Sequence, residues 1–522
     1  MKKNLLNILG LLLVLAGGFA SCTKDLNRTA TNSIDADSAY SNAAAYKQAL
    51  AKVYGAYALT SSNGPDKSDL GGIDAGTSDF LRLFWNAQEL STDEAMCVWT
   101  DVGLPDFHNL SWTSSNVFLR GLYTRSVYGI TVCNDFIKQS SADKVAGRGI
   151  TGADATNIGY YRAEARFLRA YQYWVLMDLF GNPPYITENS EIGTTMPPQI
   201  KRADLFEYVV SELKAVDSLL PAPKANEYGR ADRGAAWALL ARVYLNAGIY
   251  TGTNHYEDAV TYSGKVIAAG YSLMGTYKNL FLADNNLNNP EVILSINYDG
   301  NSTQNYGGTT YLVNAAVNAS MIPSSFGVPG GGWGGNRSTA SVPGLFDTTV
   351  DKRGLFFGTT ATITDVSKFE QGLKITKFRN VTTTGATPAS SNGTFCSIDF
   401  PVFRLAEMYL IYAEASVRLG TNTGTAISYF NLLRQRAYNS TAGNVTSLTV
   451  DNILDERGRE LYWEGFRRTD LIRYGKFTTN TYLWPWKGGV AAGKSVDSHF
   501  NLYPIPASDI IANTNLKQNT GY

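Results

Sequence analysis

Between Gly71 and Val102 the chain reads GGIDAGTSDFLRLFWNAQELSTDEAMCVWTDV, and groups that could hold a ligand crowd together there. Asp74, Asp79, Arg82, Asp93 and Glu94 supply hydrogen-bonding and charged groups, and Phe80, Phe84, Trp85 and Trp99 supply rings. Such a mixture suits a sugar. A pyranose lays its C–H face on an aromatic ring, while Arg and carboxylate side chains bond its neighbouring hydroxyls in forked geometry. The stretch shows no clear period and is too rich in aromatics for disorder, so it is expected to be a long functional loop. The competing reading is a loop packed onto the core by its own rings. A second group of rings (Tyr298, Tyr306, Tyr311, Phe326 and Trp333) lies in a region rich in Gly, Ser, Thr and Asn.

Other chemistry is less well supported. Paired acids such as Asp93/Glu94 and Asp455/Glu456 could hydrolyse a glycosidic bond, which makes an all-α glycoside hydrolase the enzymatic rival. Glu456 and Glu460, however, share a helical stretch with Arg457, Arg459, Arg467 and Arg468, which points to a structural ion-pair network. Gly488 to Ser495 matches the phosphate-loop pattern GxxxxGK[ST], but Trp484-Pro485-Trp486 precedes it and Pro504 and Pro506 follow. The strand and helix that such a loop requires have no room to form. Gly330 to Gly335 fits GxGxxG equally loosely, and a flexible tip exposing Trp333 is the better reading. No GxSxG or HExxH is present, and the three His are far apart, so neither a serine nucleophile nor a zinc site is expected. Asp284 to Asn288 spaces oxygens as calcium loops do, without the rest of an EF-hand. A structural Ca2+ is conceivable there, an Asn-rich turn is the expectation, and no cofactor is required.

The elements that must position these groups come from a chain of 522 residues with 44% hydrophobic and 17% charged content. That is globular and long enough for a large helical array. Lys plus Arg and Asp plus Glu both number 45, so no net charge draws the chain to nucleic acid. The 31 Tyr suit a neutral, hydroxyl-bearing ligand. Lys2 and Lys3, an apolar run from Leu5 to Leu15 and small residues before Cys22 read as an export signal over residues 1–21. Phe-Ala-Ser-Cys at 19–22 resembles a bacterial lipobox, so Cys22 is expected to carry lipid and residues 22–35 to tether it. Three further cysteines form no disulfide framework, although one bridge is possible.

Apolar residues recur at three and four along several segments. Helices are expected over Ala36–Leu59, Val117–Lys138, Tyr160–Phe180, Ala203–Leu220, Arg233–Gly248, Tyr256–Gly270, Arg404–Gly420, Thr425–Ala437 and Val450–Tyr474. Arg233–Gly248 with Tyr256–Gly270 resembles a tetratricopeptide unit, and Arg404–Gly420 with Thr425–Ala437 another. Residues 286–399 instead suggest loops and small strands, such as Glu291–Asn297 and Leu373–Arg379, laid over the helices.

AEARFLRAYQYW at 163–174, AAWALLARVYLNAG at 235–248, RLAEMYLIYAEA at 404–415, DERGRELYWEGFRRTDLIRYGKF at 455–477 and YPIPASDI at 503–510, with Cys22, resemble the SusD/RagB family over essentially the whole chain. The resemblance implies a mostly α fold of tetratricopeptide-like helix pairs, a single domain over 36–522, with a loop-rich binding face from 60–115 and 286–400. It implies a non-catalytic, lipid-anchored protein of the outer membrane facing the cell exterior. Such a protein binds a glycan and delivers it to a SusC-like TonB-dependent transporter. The nearest pattern is that of a starch-binding member, which implies an α-glucan such as a maltooligosaccharide; another glycan on the same architecture is the alternative. That member's binding loop matches Asp74, Arg82 and Trp99 here, NYGGTTY at 305–311 places Tyr306, and a Gly-containing loop places Trp333. Where it has an Asn, this chain has Val102, beside Asp101. The expected site is therefore Asp74, Arg82, Trp99, Asp101, Tyr306 and Trp333, with the tryptophans exposed.

Overall fold

Successive helices lie side by side in this protein, and the loops that join and follow them make its second layer. The computed structural model describes residues 39–522 except Ile192 and Thr194, so the export signal, Cys22 and the tether lie outside the described residues. The principal helices are α1 (Ala43–Ala58), α2 (Phe80–Glu89), α3 (Val117–Gln139), α4 (Gly152–Leu179), α5 (Arg202–Asp217), α6 (Arg233–Leu245), α7 (Tyr256–Ile267), α8 (Gly308–Ala316), α9 (Leu405–Leu419), α10 (Thr423–Tyr438), α11 (Val450–Leu461) and α12 (Arg467–Arg473). The packing runs in series: α3 on α4, α4 on α5, α5 on α6, α6 on α7, α7 on α9, and α9 on α10 and α11. Small residues allow it. Gly234, Ala235, Ala236, Ala238 and Ala241 are all buried in α6, so neighbouring helices approach closely on every side. One apolar cluster runs from Tyr40 to Leu516 through all of these helices.

Strands are few and short. Among the described residues, β1 (Met96–Cys97) pairs antiparallel with β3 (Asn336–Arg337), β2 (Val292–Ile296) with β6 (Phe400–Arg404), and β4 (Phe356–Phe357) with β5 (Lys374–Ile375). The mostly helical expectation holds, and the two strands expected at 291–297 and 373–379 appear, the second reduced to two residues.

The stretch 71–102 departs from expectation. It is not one long loop, because α2 occupies its middle. Phe80, Phe84 and Trp85 are core residues, as are Asp79, Asp93 and Glu94. The core reading of those rings is the right one. The helix does carry a polar stripe, Arg82, Asn86 and Glu89 at helical spacing, but nine of its ten residues are buried, so most of that stripe faces protein and not solvent. Arg82 alone reaches the surface. Tyr298, Tyr311 and Phe326 of the second ring group are likewise core.

A single helix over 450–474 is also corrected, since the chain breaks between α11 and α12. Trp463 and Gly465 take positive φ values of 62° and 85°. Buried carboxylates receive the freed amides: Trp463 N–H donates to Glu94 Oε2 (2.7 Å), and Gly465 and Phe466 N–H donate to Glu89 Oε1 (2.5 and 3.2 Å). Asp93 forms a forked pair with Arg467 at 2.8 and 2.7 Å.

The acid pairs in the helical stretch are structural, as expected, with partners drawn from further afield. Arg353 bonds Asp351, Glu456 and Glu460; Arg404 bonds Glu291, Glu460 and Glu464. These buried pairs lash the 286–404 region to α11. Burial pushes the Glu456 carboxyl up, but Arg353, Arg459 and Arg434 outweigh it and hold the group at about 2. Of the nearby arginines, Arg459 joins Glu456, Arg457 takes Asp470, and Arg468 donates to the Phe500 carbonyl and covers the Tyr503 ring.

Candidate functional site

The candidate residues converge around α8, which the sequence reading had not singled out. Its N-terminus follows Asn305-Tyr306-Gly307, and its C-terminal carbonyls hold the Gly-rich segment that carries Trp333. Trp333 N–H donates to Asn314 O (2.7 Å), Gly335 N–H to Ala315 O (2.7 Å) and Gly334 N–H to Val317 O (2.8 Å). The segment is therefore pinned, which corrects the expectation of a flexible tip. The β1–β3 pair then brings in Trp99, because Val98 N–H donates to Gly335 O at 3.0 Å. A Cβ on Gly335 would stand 2.5 Å from the Trp99 indole, so only glycine lets that ring seat here.

Three rings follow one another. Trp99 and Trp333 have centroids 6.5 Å apart at 45°, and Trp333 and Tyr306 6.4 Å apart at 46°. Neighbours turn by a similar angle and none lies flat against the next. Tyr306 is 38% exposed, whereas Trp99 and Trp333 are half-buried against the core, less open than expected. Phe395 backs Tyr306 at 5.1 Å.

The polar groups lie at the Trp99 end. Arg82 stands with its guanidinium 4.7 Å from the centroid of the Tyr311 ring and 6.0 Å from that of Trp99. It donates no side-chain hydrogen bond among the described residues, and its Nε is buried without a partner. An unpaired buried donor is costly and awaits an acceptor. Tyr311 supplies the base of this arrangement, its hydroxyl donating to Asn86 Oδ1 at 2.8 Å. Asp74 is exposed and caps a short 3-10 turn, accepting from Thr77 N–H at 3.1 Å. Gly76 lies against both groups: a Cβ there would stand 3.1 Å from Asp74 Oδ1 and 4.0 Å from Arg82 Nη1. Asp101 is exposed on the turn after Trp99, and Val102 beside it is 83% exposed. Asp74, Arg82, Trp99, Tyr306 and Trp333 are thus brought to one region, with Asp101 at its edge. Asp79, Tyr311 and Gly335 lie in stretches that the sequence marks, but their part is to support the site from below and not to face a ligand, which residue type alone does not reveal.

Several other features are absorbed by the fold. Asp284 accepts from Thr383 N–H (3.0 Å) and Thr383 Oγ1 (2.7 Å), and no group of metal-binding side chains occurs among the described residues. The phosphate-loop pattern begins in a 3-10 turn at Lys487–Gly489 and runs on without helix to Ser495, so no helix opens from it. Cys97, Cys133 and Cys396 are free and buried, each thiol pushed up to about 12 by burial.

The model of the SusD family matches residues 347–522, and one described as "Starch-binding associating with outer membrane" matches residues 110–245. The chain is 36% identical to the starch-binding protein SusD of Bacteroides thetaiotaomicron, over 98% of each chain. It is 26% identical to the SusD-like protein P2 of Formosa agariphila, over 72% of this chain and 77% of that one. Among solved structures, a SusD-like protein of Bacteroides fragilis superposes with a TM-score of 0.72 at 18% identity, covering 95% of this chain and all of that one. The surface glycan-binding protein A of Bacteroides thetaiotaomicron, solved with laminarihexaose, superposes with a TM-score of 0.68 at 22% identity, covering 91% and 98%. The fold, the length of the match and the level of identity lead to one conclusion: the chain belongs to the SusD family of non-catalytic glycan-binding proteins.

Proposed function

We propose that this protein captures an α-glucan, starch or a maltooligosaccharide, on the row of tilted rings Trp99–Trp333–Tyr306. The observation that carries the reading is a row of three rings in which each is tilted from the next, by 45° and 46°, at spacings of 6.5 and 6.4 Å. An α-1,4 chain curls and can meet rings set along an arc. A β-1,4 chain is straight and needs coplanar ones. Each stacked ring contributes on the order of 1 kcal/mol, so a ligand must touch several at once to bind usefully. Arg82, whose side chain donates no hydrogen bond among the described residues, would donate to ring hydroxyls; Asp74 and Asp101 would accept from them. The name of the starch-binding relative supports the same substrate class.

The wider role follows the family. The protein would be held to the outer membrane by lipid on Cys22, with its single domain from residue 36 onward facing outward. Bound oligosaccharide would pass from the 60–115 and 286–400 face to a SusC-like TonB-dependent transporter. Calorimetry tests the substrate. Maltoheptaose should bind, cellohexaose should not, and Trp99→Ala or Trp333→Ala should weaken binding strongly with only a modest fall in Tm, since both rings are half-buried against the core. Equal binding of the two sugars, or wild-type affinity in both tryptophan variants, would sink the reading.

A further inference from the structure

Asp79 joins the two halves of the candidate site without facing it. The residue is 1% exposed and is the N-cap of α2. Its Oδ1 accepts from Arg82 N–H at 2.7 Å, a normal capping bond, and also from Gly308 N–H at 2.9 Å. Gly308 is the first residue of α8, so one carboxylate oxygen caps two helices 229 positions apart in sequence. Both helix N-termini present positive dipole ends, which favours an anion between them. The adjoining residues reinforce this contact. Asn305 Oδ1 accepts from Gly307 N–H, and its Nδ2 donates to Ala58 O at the end of α1, both at 2.5 Å. A Cβ on Gly307 would stand 2.1 Å from Asp79 Cγ, and one on Gly308 2.5 Å from the Tyr298 ring. The double glycine is thus what allows the carboxylate to reach α8.

Tyr306 lies between the two tied residues Asn305 and Gly307, and Arg82 is three residues along the helix that Asp79 caps. We propose that Asp79 is a positioning residue that sets the spacing of Tyr306 from Arg82 and Trp99, and so makes the ring row and the guanidinium one site. This rests on the glycan-binding reading above. The two helices also meet through Tyr311 of α8, whose ring packs on Trp85 and whose hydroxyl donates to Asn86.

The test is a pair of double-mutant cycles read by maltoheptaose calorimetry on the full chain, with Tm followed throughout. In the wild-type background, Tyr306→Ala and Trp99→Ala should each weaken binding by about tenfold or somewhat less, as loss of one stacked ring implies. In Asp79→Ala, Tyr306 is already displaced, so Tyr306→Ala should cost almost nothing further while Trp99→Ala keeps its full effect. Asp79→Asn retains the accepting oxygen and should restore the wild-type pattern. Gly307→Ala, which wedges the carboxylate away, should reproduce the Asp79→Ala pattern and serves if that variant folds poorly. General loosening of the fold would diminish both ring effects alike. Retention of the full Tyr306→Ala effect in the Asp79→Ala background, or failure of Asp79→Asn to restore binding, overturns the proposal. Wild-type binding by Trp99→Ala and Trp333→Ala in the unaltered background would instead overturn the glycan site itself.

Discussion

Arg82 rests on the face of Tyr311, its guanidinium carbon 4.7 Å from the ring centroid, and donates no side-chain hydrogen bond among the described residues. The ring holds the cation in place without occupying its donors. Arg82→Ala should therefore weaken maltoheptaose binding by roughly tenfold or more, the scale of a hydrogen bond to a charged group. Its Tm should hardly change, because no ion pair is broken. Arg82→Lys should recover little, since a single ammonium cannot reproduce a flat fork on a ring. Calorimetry with parallel melts checks both, and a large fall in Tm would mean that the residue is structural.

Gly335→Ala tests the seating of Trp99. The added methyl carbon would stand 2.5 Å from the indole, against a backbone tied to Ala315 O and Val98 N. The ring must move. Binding should fall to the level of Trp99→Ala, and the tryptophan emission maximum should shift to the red as the half-buried ring becomes wetter. Unchanged affinity would show that the position of Trp99 is not demanding.

The carboxyl pair at the break between α11 and α12 predicts a pH dependence. Burial, and then the neighbouring Glu94, push the Glu89 carboxyl well above its ordinary range, and Glu94 is raised by burial to about 7. A raised carboxyl holds its proton in the folded chain after the unfolded chain has lost it. Folding stability from this pair is therefore full below about pH 4.5 and declines as pH rises towards 7. In Glu89→Gln the amide can donate permanently to Glu94 and removes the like charge. The wild type should lose stability relative to this variant between pH 5 and 8, by about 1 kcal/mol for each unit of pKa shift relieved. Melts of the two proteins across that range decide it, and parallel curves would refute it.

Anchoring rests on residues 19–22, outside the described part of the chain. Cys22→Ala should leave the precursor uncleaved or the protein soluble while the fold stays intact. Fractionation and circular dichroism read the two effects separately. Recovery of the variant in the outer-membrane fraction at the wild-type level would exclude lipid attachment through this residue.

The scaffold was legible in the sequence wherever a helix has one wet and one dry face. The helices at 117–139, 202–217 and 256–267 and the pair at 405–438 lie where apolar periodicity put them, because solvent on one side leaves a polar stripe in the code. The helix α2 carries such a stripe in Arg82, Asn86 and Glu89, but it spans only ten residues inside a stretch rich in Asp, Gly, Ser and Thr, and most of the stripe faces protein. The break at 462–466 was hidden for a different reason. Glu89 and Glu94 take its free amides from some 370 positions away, and local propensity carries no trace of a partner so remote. Residue type proposed rings and an arginine for the site. Which rings face a ligand was decided only by packing, as Phe80, Trp85 and Tyr311 fill the core while Trp99, Trp333 and Tyr306 reach its edge. Side-chain chemistry is written residue by residue, so a single chain reveals what could stack or donate. The spacing of those groups depends on contacts such as that of Asp79 with Gly308, which exist only once both helices are in place.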